Sequence, residues 1–225
     1  MAPDEWLPMN GSRRWVCLDV GETLIDETRI WLTWADVLRV PRFTFAAVIG
    51  GAIARGESHQ EAFARLERPD WAEYAAAVEA SYGGFRPEDL YPDALPTLAR
   101  LRSRGYGVAV VGNQPARRHA ELLALGVDVD VLAMSEALGV DKPDPAFFIH
   151  ALELMGSPEP GQVVYVGDRV DNDVLAPLAV GMRVVWLRRG PWSLLQPLPQ
   201  DAPAVFQARS LAELSDVLSA CFSVP

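Results

Sequence analysis

Four short runs with no polar residue inside them constrain this chain more than anything else in its 225 residues: Trp15–Leu18 (WVCL), 108–111 (VAVV), Val131–Met134 (VLAM) and 163–166 (VVYV). A strand with one face in water alternates apolar and polar side chains, whereas an unbroken run asks for burial on both faces. Such strands belong to a parallel sheet whose crossover segments cover both sides. The intervening segments have the matching texture. Residues 93–104 carry apolar side chains at helical spacing and stop at Gly105, 116–125 stop at Gly126, and 145–155 begin on a proline, which suits the first turn of a helix. Helices are also expected over 173–180 and 210–221, the latter opened by Ser210 and Glu213, with a further strand at Arg183–Leu187. The expected fold class is α/β, a doubly wound parallel sheet.

Between about residues 28 and 84 the pattern changes to helices with no convincing strand. Ile30, Trp31, Trp34, Val37 and Leu38 recur at helical spacing until Pro41. Ser58 with Glu61, and Asp70 with Glu73, each have the form in which a short side chain and a glutamate satisfy the free amides of a helix start. Gly83-Gly84 closes the block. The chain is therefore expected to divide into an α/β core, residues 1–25 and 90–225, and an all-helical cap, residues 26–89, inserted after the first strand. Trp31, Trp34, Phe43 and Phe45, with Arg39 and Arg42, could line the inner face of that cap, although aromatics at this spacing more often form a helical unit's own core. Residues 192–195 (WSLL), set among prolines, read as a packed loop.

A net charge of −10 gives no broad basic surface, which argues against nucleic acid or an anionic membrane as partner. It does not forbid phosphate chemistry, provided a metal ion and a few local cations offset the charge. Cys17, inside an apolar run, reads as a small buried hydrophobe and not as half of a disulfide. Residues 1–12 contain acids and prolines and no signal-peptide pattern, and no apolar stretch is long enough to span a bilayer, so a cytoplasmic location is expected. Of the 20 basic residues only one, Lys142, is a lysine.

In parallel sheets ligands collect at the carboxyl ends of the strands. That rule makes Asp19, Gly112-Asn113 and Asp168 neighbours, although they lie far apart in sequence. An aspartate after a buried strand is, taken alone, more often a cap or turn residue. Three segments in order say more. Residues 19–24 (DVGETL), 139–145 (GVDKPDP) and 167–173 (GDRVDND) resemble, in sequence order and spacing, the nucleophile loop, lysine segment and acidic metal loop of the haloacid dehalogenase superfamily. The likeness extends over the whole chain, with residues near 28–84 in the place of that family's helical cap.

The resemblance implies a Mg2+-dependent phosphatase acting on a small phosphorylated metabolite through an aspartyl-phosphate intermediate. Asp19 would be the nucleophile, and Lys142 would hold nucleophile and transferring phosphoryl group together as a point charge. Asp19, Asp168 and Asp173, with the backbone carbonyl of Gly21, would be the metal ligands. Hard oxygen donors of this kind suit magnesium, which offsets the repulsion between carboxylate and phosphate. The sequence departs from the family pattern at two positions. Gly21 stands where phosphatases of the family carry a second aspartate that protonates the leaving oxygen, a contribution of roughly 100- to 10,000-fold. Gly112 stands where a serine or threonine hydroxyl usually binds phosphate, leaving the backbone amides of Gly112, Asn113 and Gln114 for that task.

Glu22, adjacent to the gap, or Asp36, Glu57 or His59 from the cap could substitute for the missing acid, though each reads first as a surface residue. A substrate with a good leaving group would need less help. The alternative is a non-catalytic metal- or phosphate-binding, or regulatory, pseudoenzyme on the same scaffold. A phosphonate hydrolase would need a cap lysine, and residues 28–84 contain none; a haloacid dehalogenase would lack the Gly167-Asp168 loop.

Overall fold

The computed structural model describes residues 13–202 and 205–223; the leader reading of residues 1–12 falls outside them. Six strands, β1 (Trp15–Leu18), β2 (Gly107–Gly112), β3 (Val131–Met134), β4 (Val163–Gly167), β5 (Arg183–Leu187) and β6 (Phe206–Ala208), form one parallel sheet in the order β3-β2-β1-β4-β5-β6. The order reverses direction at β1, which pairs with β2 on one side and β4 on the other. That reversal is the switch point at which such sheets open a crevice.

Unbroken apolar strands follow from burial on both faces. Val16, Leu18, Val108, Val110, Val164 and Val166 join one core cluster, while Trp15, Cys17, Ala109, Val111, Val163 and Tyr165 join the other. Cys17 and Cys221 are both free and buried. The short strand β6, three residues at the sheet edge and partly exposed, is absent from the sequence expectations.

The helices are α1 (Thr28–Val37), α2 (Arg42–Ala54), α3 (His59–Arg65), α4 (Ala75–Tyr82), α5 (Ala94–Ser103), α6 (Arg118–Ala124), α7 (Ser135–Leu138), α8 (Pro145–Leu154), α9 (Ala176–Ala179), α10 (Gly190–Leu195) and α11 (Leu214–Ser223). Helices α1 to α4 lie between β1 and α5 and form an inserted helical cap with its own core, in which Phe45 and Phe63 are buried and Trp31 and Trp34 pack against them. Phe43, by contrast, is exposed. Ser58 caps α3 as expected: its hydroxyl accepts the Glu61 amide, and the Glu61 carboxylate accepts the Ser58 amide. The similar reading at Asp70 does not hold. Trp71–Tyr74 is a 3-10 turn, and the Asp70 side chain makes no cap bond.

Two further differences matter for the site. Residues 192–195 belong to helix α10 and not to a loop, and Trp192 is buried in the cap's core, its ring 5.6 Å from that of Trp31. The first part of the helix expected over 173–180 is a π-helical turn, Val170–Leu175, with α9 following. The wide turn is pinned from inside: the Arg169 amide donates to Asp173 Oδ2 at 3.0 Å. Such turns cluster at functional sites. Among the described residues, no single helix is long and apolar enough to cross a membrane.

Candidate active site

The backbone of Asp19 is held at the switch point itself, because its amide donates to the Val166 carbonyl of β4 at 2.9 Å, one residue beyond the end of β1. Its carboxylate turns inward. Asp19 Oδ1 lies 2.8 Å from Lys142 Nζ, and the same ammonium donates to Asp173 Oδ1 at 2.6 Å. Lys142 reaches this position from the loop between α7 and α8, which Asn113 ties to the end of β2. The Lys142 amide donates to Asn113 Oδ1 at 2.8 Å, and Asn113 Nδ2 donates back to the Lys142 carbonyl at 2.9 Å. The side chain of Asn113 thus positions the lysine.

Asp168 follows β4 directly. Its carbonyl is fixed by the Trp186 indole N–H at 2.8 Å, while its Oδ2 is buried with no hydrogen-bond partner among the described residues. One oxygen from each of Asp19, Asp168 and Asp173 lies within 4.8 Å of the others, and all three residues are buried. An octahedral magnesium ion with ligands at about 2.1 Å keeps its oxygens roughly 3 to 4 Å apart. Three hard carboxylate donors, one of them unsatisfied, fit such an ion.

Electrostatics point the same way. Burial lowers the Lys142 ammonium pKa, but Asp173 and Asp19 beside it outweigh that and hold it above its ordinary value, so the lysine stays charged. Asp173 is pushed up to about 6 by burial, with Lys142 pulling down and Asp19 pushing up. Asp168 is raised well above the usual carboxylate range by burial and then by the charges of Asp173 and Asp19. One ammonium does not neutralise three buried carboxylates, and the residual charge calls for a cation.

Neither Gly112 nor Gly21 leaves room for a side chain. A Cβ at Gly112 would fall 2.6 Å from Asp19 Oδ1 and 2.9 Å from Val20 Cγ2, so Asp19 occupies the space a serine or threonine would need. A Cβ at Gly21 would overlap Glu27 Oε1 and fall 2.7 Å from Glu27 Cδ. Glu27 precedes α1; its Oε1 accepts from Gln114 Nε2 at 3.2 Å and its Oε2 from the Trp31 indole N–H at 3.4 Å. Burial, then the charges of Glu22 and Asp19, raise its pKa to about 7.

These groups border one cavity of about 770 Å³, lined among others by Asp19, Gly21, Glu27, Trp31, Asn113, Gln114, Lys142, Asp168 and Trp192. Of the sequence-expected residues, Asp19, Gly21, Asn113, Gln114, Lys142 and Asp168 line this cavity; Asp173 is fully buried behind it against Lys142, and Gly112 packs against Asp19 outside the lining. The substitutes considered for the missing acid are placed otherwise. Glu22 borders the cavity, but its carboxylate accepts from the Tyr91 hydroxyl at 2.6 Å and from the Glu27 amide at 3.1 Å. Asp36 pairs with Arg42 on the surface, and Glu57 pairs with Arg55 and Arg65. The side chain of His59 lies outside the described residues. Trp31, named for the cap's inner face, both packs against the cap's core and lines the cavity, whereas sequence reading missed Glu27 and Trp192; for Glu27 the available signal was an acid just before a helix, a position that usually marks nothing more than a helix start.

A family model described as haloacid dehalogenase-like hydrolase matches residues 14–181. Among curated proteins, a glyceraldehyde 3-phosphate phosphatase of Methanopyrus kandleri is 34% identical over 175 residues, covering 72% of this chain and 73% of its own length. A phosphoserine phosphatase of Thermus thermophilus is 32% identical over 61% of this chain, which spans only 54% of that relative. Among solved structures, a predicted phosphoglycolate phosphatase from Haemophilus somnus superposes with a TM-score of 0.71 at 23% identity, over 92% of this chain and 98% of that one, a likeness of fold.

Proposed function

The chain belongs to the haloacid dehalogenase-like hydrolases, and within that family we propose that it is a magnesium-dependent phosphatase of a small phosphorylated metabolite, with the cap over residues 26–89 closing the site. The observation that carries this reading is the shared ammonium: Lys142 Nζ stands 2.8 Å from Asp19 and 2.6 Å from Asp173, with Asp168 beside them. A surface lysine would not be buried between two carboxylates, and a structural ion pair would not leave a third carboxylate oxygen unsatisfied.

In this reading Asp19 attacks phosphorus and forms an aspartyl-phosphate, splitting one displacement into two easier ones. Lys142 keeps the nucleophile aligned and offsets charge on the phosphoryl oxygens. The amides of Asn113 and Gln114, both of which line the cavity, receive the phosphoryl oxygens, as amide-lined turns do. Asp19, Asp168, Asp173 and the Gly21 carbonyl would hold the ion. When bound, magnesium supplies charge neutralisation between carboxylate and phosphate. The cavity of about 770 Å³, walled by Trp31 and Trp192, has the volume of a small-molecule site, and the phosphatases named among the relatives favour a small phosphorylated metabolite as its occupant.

The test is hydrolysis of acetyl phosphate, p-nitrophenyl phosphate and a panel of small phosphate esters with and without Mg2+, using Asp19→Asn as control. Mg2+-dependent phosphate release at least a hundredfold above the control is expected. Release equal to the control's would instead favour a protein that binds metal and phosphate without turnover.

A further inference from the structure

We infer that Glu27 supplies the proton-transfer carboxyl that position 21 lacks, which rests on reading the site as an aspartyl-phosphate hydrolase. A Cβ on Gly21 would fall 2.7 Å from Glu27 Cδ and 3.2 Å from Oε2, so the Glu27 carboxyl group fills the volume into which a side chain at position 21 would project. The glutamate arrives there from six residues further along the chain and enters the same cavity as Asp19.

The placement is also fixed. Gln114 Nε2 at 3.2 Å and the Trp31 indole at 3.4 Å hold the two carboxyl oxygens. Behind them, the Glu27 amide donates to Glu22 at 3.1 Å, and Glu22 is itself anchored by Tyr91 at 2.6 Å. Glu22, the adjacent acid, is thereby spent on orienting the loop. Gln114 acts in this scheme as a positioning residue, extending from the end of β2 to the acid on the cap side.

The proton balance is simple. As the Asp19 oxygen bonds to phosphorus, the bond from phosphorus to the ester oxygen breaks, and that oxygen takes the proton of the Glu27 carboxyl and leaves as an alcohol. The Glu27 carboxylate then takes a proton from water as the water oxygen bonds to phosphorus. The bond between phosphorus and Asp19 breaks, its electron pair returns to the Asp19 carboxylate, and inorganic phosphate leaves with Glu27 reprotonated.

The test compares wild type, Glu27→Gln, Glu27→Ala and the double variant Gly21→Asp/Glu27→Ala, each with Mg2+. The substrates are p-nitrophenyl phosphate and whichever of phosphoglycolate, phosphoserine and glyceraldehyde 3-phosphate the wild type hydrolyses fastest. For the alkyl ester, Glu27→Gln should lower kcat/KM by roughly 100- to 10,000-fold, and for the nitrophenyl ester by less than about tenfold. With the nitrophenyl ester it should also release a burst of one equivalent of nitrophenol before a slow steady state, because water attack on the phosphoenzyme loses its base. Gly21→Asp, with the space cleared, should restore at least about tenfold over Glu27→Ala on the alkyl ester. Mn2+ affinity measured calorimetrically should stay within about twofold of wild type in Glu27→Gln. Equal losses on both esters without a burst would make Glu27 a structural residue, and lost Mn2+ binding would make it a ligand; either overturns the assignment. A wild type no more active than Asp19→Asn on every ester would overturn the hydrolase reading, and this assignment with it.

Discussion

Lys142 and Asp173 form a contact of 2.6 Å in which neither side chain is more than 1% exposed. A pair this deep is asymmetric in its consequences. Removing one partner strands the other's charge, which typically costs about 3–5 kcal/mol, far more than the intact pair contributes. Lys142→Met should therefore lower the unfolding free energy of the metal-free protein by about 3–5 kcal/mol at neutral pH. Urea unfolding checks this, and addition of Mg2+ should return much of the loss. A variant as stable as the wild type would mean that Asp19 and Asp173 share no buried charge.

The acidic cluster also sets a pH dependence. Asp173 is held near 6, and Asp168 is raised well above the usual carboxylate range, both mainly by burial, whereas aspartates of an unfolded chain titrate near ~3.9. The native state binds these protons more tightly, so their contribution to stability is present in acid and is lost as pH rises through about 6. Magnesium bound by these carboxylates would compete with the same protons. The stabilisation on adding Mg2+, followed as a rise in Tm, should thus be larger at about pH 7.5 than at about pH 5, its free energy approaching ~2.7 kcal/mol at a hundredfold excess over Kd. An equal rise at both pH values would place the ion elsewhere.

Gly112→Ser would add a hydroxyl at the end of β2, yet it should reduce activity. The new Cβ would meet Asp19 Oδ1 at 2.6 Å and push that carboxylate, the proposed nucleophile, from its place beside Lys142. A displacement of about 1 Å is enough to cost roughly a hundredfold. Steady-state kinetics against p-nitrophenyl phosphate would check it, and a faster variant would show that Asp19 has room to yield.

Trp192 joins the two parts of the molecule, since it is carried by α10 of the core and buried in the cap's aromatic cluster. Trp192→Ala should cost about 3–5 kcal/mol in urea unfolding, as large core truncations do. KM should also rise, because the same ring walls the cavity. Loss of stability with KM unchanged would separate the seam from the site.

Much of this was legible in the sequence because burial on both faces leaves an unmistakable record. Val16 and Cys17, side by side in β1, enter opposite core clusters, so neither position tolerates a polar residue. Asp19, Lys142, Asp168 and Asp173 were found through the strand ends and the family motifs, and they converge. What escaped was of another kind. The edge strand Phe206–Ala208 is too short and too exposed to show a pattern. Helix α10 sits among prolines that argue locally for a loop, and its burial against the cap overrides them. Asp70 has capping spacing, but the chain turns there as a 3-10 segment. Glu27 is the instructive miss. Nothing in one dimension says that a carboxylate six residues on will fill the space left by a glycine.

That space has an experimental corollary. Asp19, Glu27 and Asp173 each lie against a glycine, at 112, 21 and 167, with Asp173 Cγ only 2.5 Å from where a Cβ at Gly167 would sit. Truncation scans, which ask what is lost when atoms are removed, are blind to such positions. Here a single added methyl is the sharper probe, and three alanine-for-glycine changes would map the outline of the reaction chamber better than deletion of its walls.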